Sequence, residues 1–129
     1  MAVDIHPITP GFAAEVGDVD LSKGLAGDDL AAVKQAFWTY SVLVFPDQHL
    51  TAEQHLAFAQ HFGPSETSIG AHMKDIPTRI RAELADVSNL DAQGRMWGSD
   101  ARQRMFQLGN RLWHTDSSFK QLPALASAL

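Results

Sequence analysis

The feature that most constrains the fold of this chain is the stretch Leu112-Trp113-His114-Thr115-Asp116, which we expect to form a strand. On a strand, residues two apart point to the same face, so His114 and Asp116 can converge on one metal ion. An imidazole and a carboxylate are two thirds of the 2-His-1-carboxylate triad that holds non-haem Fe(II). The alternative is a strand-end histidine that hydrogen-bonds its neighbour's carboxylate, because a His-x-Asp tripeptide is easily met by chance.

Charge and composition exclude several classes of partner and site. The net charge is −5 and the ten Lys and Arg residues are scattered, which argues against nucleic acid or an anionic membrane. There is no cysteine, so any metal is held by His, Asp or Glu. No signal peptide and no membrane-spanning apolar run is visible, and we expect a cytoplasmic protein. The length of 129 residues fits at most one domain.

The first half of the chain carries local signals for a mixed fold. Pro10-Gly11 is a turn signal between two short strands. Apolar residues at helical spacing predict a helix that begins with Asp28 or Asp29 as its N-cap. A continuous apolar run before Pro46 predicts a strand that is buried on both faces. The predicted bounds are strands at Ile5–Thr9, Ala13–Val19 and Val42–Phe45, and a helix ending near Tyr40.

The second half is less regular. Thr51 and Gln54 have the spacing of a capping box, which opens a helix to about Phe62. Residues 65–78 read as a loop, 81–88 as a strand with a helix as the alternative, and 91–94 as a turn. Because strands and helices do not alternate regularly, we predict an α+β class and not a doubly wound sheet.

Longer motifs carry a resemblance to a known family. Residues 113–119 resemble the metal-binding signature of the taurine/2,4-dichlorophenoxyacetate family of Fe(II)- and 2-oxoglutarate-dependent dioxygenases. The similarity spans nearly the whole chain in order and is greatest to the 2,4-dichlorophenoxyacetate branch. The other matching segments are Ile8–Leu21, Ser41–Gln48, Leu50–Ala59, Phe62–Pro64, Glu83–Asn89, Gly94 and Gly109-Asn110.

The resemblance implies a fold and an activity. The chain is expected to be the N-terminal part of a double-stranded β-helix (a jelly-roll, cupin-like fold), as a single, C-terminally truncated domain over residues 1–129. The implied activity is hydroxylation of an aryloxyalkanoate such as 2,4-dichlorophenoxyacetate, with O2 consumed and 2-oxoglutarate decarboxylated to succinate. The third iron ligand and the arginine that binds 2-oxoglutarate are expected beyond Leu129.

The resemblance also assigns roles to residues. His114 and Asp116 are the implied Fe(II) ligands. Asn110 matches a substrate-contacting position, with a loop-capping role as the alternative. Arg95 stands where the herbicide enzymes carry Lys and is a candidate partner for the substrate carboxylate. The alternative for Arg95 is a solvated charge beside a turn. Trp113 is expected to pack in the core beside the site.

One departure from the family pattern concerns the loop after Gly63-Pro64. A basic residue of the herbicide branch aligns with Ala71, which puts phenoxyacetate itself in doubt. His72 or Lys74 is the candidate that compensates, and His72 is the predicted substrate-binding residue of the two. The histidines at positions 49, 55 and 61 recur every six residues, which is not the spacing of a helical metal site, and they are expected at the surface or core edge.

Two rival interpretations stay open. One is a sulfonate or alkylsulfate dioxygenase of the same family, which Arg95 and Asn110 do not separate from the preferred one. The other is a non-catalytic remnant that binds metal weakly or folds only with a partner. The preferred interpretation implies a small carboxylate substrate, with no nucleic acid or membrane as partner; a homo-oligomer is left open.

Overall fold

The computed structural model describes residues 3–67, 81–101, 104–105 and 108–129, with the backbone alone for Asn110. The chain divides into two compact units, Met1–Gly63 with Ala128–Leu129, and Pro64–Ser127. The expectation of a single domain is not tested by this division and stays a prediction. In the described part of the chain, every helix is too short or too polar to cross a membrane.

The first unit begins with a β-hairpin. Strand β1 (Asp4–Thr9) pairs antiparallel with β2 (Phe12–Gly17), and Thr9 stands opposite Phe12. The two linking residues are Pro10 and Gly11. Gly11 has φ +71°, and proline followed by a glycine of positive φ is the pattern of a type II turn. Both predicted strands are confirmed, although β2 ends two residues early.

A helix joins β2 to the third strand. Helix α1 (Gly27–Tyr40) leads into β3 (Leu43–Val44), which pairs parallel with β2. The prediction that this strand is buried on both faces is wrong. Val42 and Val44 are 42% and 43% exposed, while Leu43 and Phe45 are half-buried. Since α1 contacts β2 and β3, it covers one face, and the side chains alternate between covered and exposed.

The N-cap assigned to α1 is also wrong. The helix begins after Ala26, and both Asp28 and Asp29 lie in its first turn, where their charges favour the helix dipole. Asp29 Oδ1 accepts a hydrogen bond of 3.3 Å from the Val3 backbone N–H, so this carboxylate holds the start of the chain instead of capping the helix. Glycine at position 27, with φ +55°, allows the helix to start earlier than predicted.

The second helix matches its prediction. Helix α2 (Ala52–Ala59) continues as a 3-10 turn to Phe62. Its capping box is present, with Thr51 Oγ1 accepting from the Gln54 backbone and Gln54 Oε1 accepting from the Thr51 backbone. The ring of Phe58 packs edge-on against that of Phe45, with the ring centroids 5.2 Å apart, and this contact holds α2 against the core. The buried centre of this unit comprises Val16, Leu21, Leu25 and Val33.

Irregular structure prevails in the described part of the second unit. The predicted turn at residues 91–94 is confirmed by a hydrogen bond of 2.9 Å from the Gly94 N–H to the Asp91 carbonyl. The strands predicted at 81–88 and 112–116 are wrong: both segments lack ladder partners, and the described residues here hold one isolated bridge, Leu90 to Met96. A strand needs a neighbour to take its backbone hydrogen bonds. Without these two strands, the described residues form an α+β fold built on a three-stranded sheet and two α-helices.

The side-chain amide of Gln48 joins two connections of the first unit. Its Oε1 accepts from the Leu21 N–H at 2.9 Å. Its Nε2 donates to the carbonyl oxygens of Val19 at 3.0 Å and Pro46 at 2.8 Å. These bonds tie the segment after β2 to the segment after β3, and they satisfy backbone groups that are partly shielded from water.

We predict that Gln48→Ala lowers the free energy of unfolding by about 1–3 kcal/mol, because it removes the hydrogen bonds of Gln48 to the Leu21 N–H and the Val19 carbonyl. Urea unfolding of the whole protein measures this. Gln35→Ala, on an exposed position of α1, is the matched control and is expected to change stability by less than about 0.5 kcal/mol. Equal effects of the two substitutions would contradict the bridging role.

Candidate metal and substrate site

The two proposed ligand side chains, His114 and Asp116, lie side by side. His114 Nε2 is 3.1 Å from Asp116 Oδ1, although the segment that carries them is not a strand. Two ligand atoms at right angles about an octahedral ion, each about 2.1 Å from it, are about 3 Å apart. The spacing thus fits two neighbouring positions on one ion. The direct ion pair of the alternative interpretation has the same spacing.

The contact that Nδ1 of His114 makes with the backbone indicates the tautomer of the ring. Nδ1 lies 2.7 Å from the Leu112 carbonyl oxygen, which can only accept a hydrogen bond. Nδ1 therefore carries a proton, and in the neutral ring Nε2 keeps its lone pair. Ligating histidines are typically oriented in this way, with the other ring N–H bound to a carbonyl or carboxylate. The donor set and its orientation fit a divalent metal ion.

The carboxylate of Asp116 is oriented from its other side. Its Oδ2 accepts a hydrogen bond of 3.3 Å from Ser127 Oγ, which leaves Oδ1 facing His114. No group of three or more His, Asp or Glu side chains that could share an ion occurs among the described residues. Those residues therefore offer a pair of candidate ligands and not a complete set.

The surroundings of this pair are open to solvent. The side chains of His114 and Asp116 are 46% and 64% exposed. The ring of Trp113 is fully exposed, so the expectation that it packs in the core is wrong for the described residues. An indole is buried only where apolar side chains face it, and the neighbouring Leu112 is itself exposed.

A cluster that the sequence did not single out lies directly after the ligand pair. Glu66 Oε2 accepts hydrogen bonds from Ser117 Oγ at 2.9 Å and from Lys120 Nζ at 2.8 Å. These bonds from Lys120 and Ser117 lower the pKa of the Glu66 carboxyl below its usual value. The residues in contact are more than fifty positions apart in the sequence, so no local sequence pattern predicts these contacts.

Arg95 is engaged within the chain. Its Nε and one terminal nitrogen each lie 3.0 Å from Asp91 Oδ2, and its backbone N–H donates to Asp91 Oδ1 at 2.9 Å. The Arg95 backbone bond is the largest cause of the lowered pKa of Asp91; the Gln93 backbone and the Arg95 guanidinium add to it. The structure thus gives Arg95 a role at the turn, and its substrate role stays a prediction.

The remaining candidates are placed only in part. The backbone of Asn110 lies in a 3-10 turn, Gly109–Arg111, four residues before His114. His72, with Ala71 and Lys74, lies outside the described residues. Among the other described histidines, positions 49, 55 and 61 are exposed or half-buried, which agrees with their predicted place at the surface or core edge.

Comparison with known proteins gives a family match along almost the whole chain. The family model for taurine catabolism dioxygenases, the TauD, TfdA family, matches residues 4–129. The alpha-ketoglutarate-dependent 2,4-dichlorophenoxyacetate dioxygenase of Cupriavidus pinatubonensis is 40% identical over all of this chain and 45% of its own length. A protein of the same description from a Burkholderia species (strain RASC) is 35% identical over all of this chain and 43% of its own.

A solved structure agrees with both. The crystal structure of AAD-2 in complex with Mn(II) and N-oxalylglycine matches with a TM-score of 0.85 and 41% identity, covering 96% of this chain and 43% of that one. The chain therefore spans less than half the length of the relatives it matches. The likeness to AAD-2 confirms the predicted fold class.

We predict that Arg95→Ala raises the pKa of Asp91 part of the way toward its unfolded value of about 3.9. The rise is partial because the backbone N–H groups at positions 93 and 95 still donate to this carboxylate. A carboxyl with a lowered pKa stabilises the fold above its unfolded pKa, and this contribution is lost as pH falls through the folded value. The substitution should therefore weaken the stability of the turn at neutral pH and flatten its loss in acid.

An NMR titration of the Asp91 side-chain carboxyl measures the shift. Arg111→Ala, which removes another exposed arginine of the same unit, is the control and should leave the Asp91 pKa unchanged. An Asp91 pKa that does not move in Arg95→Ala would show that the guanidinium contributes nothing at this turn.

Proposed function

This chain belongs to the TauD/TfdA family of dioxygenases, and we propose that the whole protein is an Fe(II)- and 2-oxoglutarate-dependent dioxygenase acting on an aryloxyalkanoate such as 2,4-dichlorophenoxyacetate. Both curated relatives carry this activity in their names. N-oxalylglycine, bound with Mn(II) in AAD-2, differs from 2-oxoglutarate by an N–H in place of a CH2 and stands in for it. The proposal extends these properties to this protein.

The observation that carries the proposal is the pairing of His114 Nε2 with Asp116 Oδ1 at 3.1 Å, with Nδ1 of the same ring 2.7 Å from the Leu112 carbonyl oxygen. We propose these two atoms as the metal ligands that this chain contributes. We place the third protein ligand and the group that binds 2-oxoglutarate in the part of the family's length that this chain does not span. A 2-His-1-carboxylate set leaves positions open for 2-oxoglutarate and O2.

When bound, the metal with 2-oxoglutarate and O2 would supply the oxidation: one oxygen atom enters succinate, the other enters a substrate C–H bond, and CO2 leaves. The residues of this chain hold and orient. The Leu112 carbonyl keeps the His114 ring in one tautomer, and Asp116 brings one negative charge to a divalent cation. Hydroxylation beside the ether oxygen gives a hemiacetal, which collapses to a phenol and glyoxylate.

Substrate recognition is the second part of the proposal. Asn110, Arg95 and His72 are proposed to contact the substrate. In the alternative, a sulfonate or alkylsulfate dioxygenase, a cationic side chain would bind a sulfonate or sulfate group of the substrate instead of a carboxylate. The cytoplasmic location, the absence of nucleic-acid and membrane partners, and a homo-oligomeric assembly stay predictions.

We predict that His114→Ala abolishes succinate formation that depends on 2,4-dichlorophenoxyacetate in the whole protein, with a loss of at least about 100-fold, because one of three metal ligands is removed. Succinate and phenol production are measured with Fe(II), 2-oxoglutarate and O2 supplied. His49→Ala, at an exposed histidine without a metal role, is the control and should keep wild-type turnover. Retained turnover in His114→Ala would overturn the ligand assignment, and absent turnover in the wild type would favour the non-catalytic alternative.

A second prediction concerns Arg95. We predict that the Arg95 guanidinium turns from Asp91 to the substrate carboxylate, so that saturating 2,4-dichlorophenoxyacetate raises the pKa of Asp91 as Arg95→Ala does. Taurine, which offers a sulfonate instead of a carboxylate, is the comparison ligand in the same NMR titration. An Asp91 pKa unmoved by either ligand would exclude this exchange of partners.

A further inference from the structure

The segment after Asp116 is a tight turn whose two ends are held by one distant oxygen. Residues Ser117 to Lys120 close the turn with a hydrogen bond of 2.9 Å from the Lys120 N–H to the Ser117 carbonyl. Glu66 Oε2 accepts from Ser117 Oγ at 2.9 Å and from Lys120 Nζ at 2.8 Å. The first and last residues of the turn therefore share a single acceptor atom.

The backbone of this turn is strained at Ser117, the residue that follows the proposed metal ligand Asp116. Ser117, joined directly to Asp116, has φ +56°, in the left-handed region that residues with a side chain adopt rarely. Such conformations persist when surrounding contacts over-determine them. The bond from Ser117 Oγ to Glu66 is a contact of this kind, because it fixes the side chain of the strained residue.

The Glu66 contacts differ from an ordinary surface ion pair. Exposed pairs contribute little, since two long side chains must be ordered in water. Here the Glu66 and Lys120 side chains are only 34% and 32% exposed, and the Ser117 hydroxyl adds a second donor on the same oxygen. The partners are 51 and 54 positions apart, so the contacts link residues 64–67 to the turn.

We propose that Glu66 is a positioning residue for the metal ligand Asp116. By holding both ends of the turn, its carboxylate fixes Ser117 in the left-handed conformation and thereby sets the direction in which the Asp116 side chain leaves the backbone. This inference rests on the proposed metal site. It adds a residue that contacts neither metal nor substrate and acts through the peptide bond between Asp116 and Ser117.

The geometry allows position to be separated from charge. Because both bonds end on one oxygen, Glu66→Gln can keep them through its amide oxygen while losing the charge. Glu66→Asp keeps the charge but is one methylene too short to keep both. Glu66→Ala removes both. If Glu66 positions the turn, Gln is the conservative replacement and Asp is not.

The test is the affinity of the whole protein for Mn(II), measured by electron paramagnetic resonance without turnover. We expect Glu66→Ala and Glu66→Asp to weaken binding about tenfold, the lower end of what loss of an outer contact costs a metal site. Glu66→Gln should stay within about threefold of the wild type on the same grounds. Glu83→Ala is the matched control, since Glu83 is also 34% exposed and pairs with a cation of the same unit, Arg81, at 3.5 Å; its affinity should not change.

A second measurement follows the turn itself. Hydrogen exchange of the Lys120 amide, which closes the turn, should accelerate in Glu66→Ala and Glu66→Asp and stay slow in Glu66→Gln and Glu83→Ala. Lys120→Met removes one of the two bonds to Glu66 and tests the same role if Glu66→Ala does not fold. Because one of the two bonds is lost, it should also weaken Mn(II) binding relative to the wild type.

The outcomes separate this inference from the proposed function. Wild-type protein that binds no Mn(II) overturns both. Wild-type binding with unchanged affinity in Glu66→Ala and Glu66→Asp overturns the positioning role alone. Equal weakening in Glu83→Ala, or in Glu66→Gln and Glu66→Asp alike, also overturns it, because the effect would then follow general stability. Weakening in Glu66→Gln without weakening in Glu66→Asp overturns it as well, because the effect would then follow the lost charge and not the placement of the turn.

Discussion

An extended segment becomes a strand only when a neighbour takes its backbone N–H and carbonyl groups, and this requirement divides the described chain. In the first unit, β2 has a neighbour on each side, antiparallel β1 and parallel β3. Residues 112–116 were also predicted to form a strand, but no segment of the described residues pairs with them. The first unit can thus build a core on its sheet, while the proposed ligand pair, His114 and Asp116, depends on side-chain contacts for its geometry.

In each unit, one polar side chain links segments that backbone pairing does not join. Gln48 joins the ends of β2 and β3 through three hydrogen bonds, and Glu66 joins the turn after Asp116 to residues 64–67 through two. Each contact is long-range in sequence and uses atoms that are partly shielded from water, where an unmet hydrogen bond costs more than an exposed one. Among the described residues, these two side chains therefore help to fix where the connecting segments lie.

The sequence predicted what depends on neighbouring residues. The Pro10-Gly11 turn, the capping box at Thr51 and the turn at Asp91 are local hydrogen-bond patterns, and all were found as expected. The family followed from motifs spread along the chain, and the match over residues 4–129 confirmed it. The burial of β3, the exposure of Trp113 and the Glu66 contacts depend on what lies across space, which no local pattern contains. The predicted N-cap was wrong because the helix begins after Ala26, which places Asp28 and Asp29 in its first turn.

The exposure of the ligand pair separates two tasks of a metal-dependent oxidase. Holding an ion requires oriented donor atoms, and His114 and Asp116 have these with side chains 46% and 64% exposed. Controlling an oxidation also requires that water be kept from the reacting groups, which an open surface does not achieve. Since Trp113 and Leu112 beside the pair are exposed as well, the described residues orient ligands without enclosing them. Under the proposed function, positioning of the ligands and exclusion of water are therefore assigned to different parts of the polypeptide, and substitutions such as those at Glu66 should affect the first without the second.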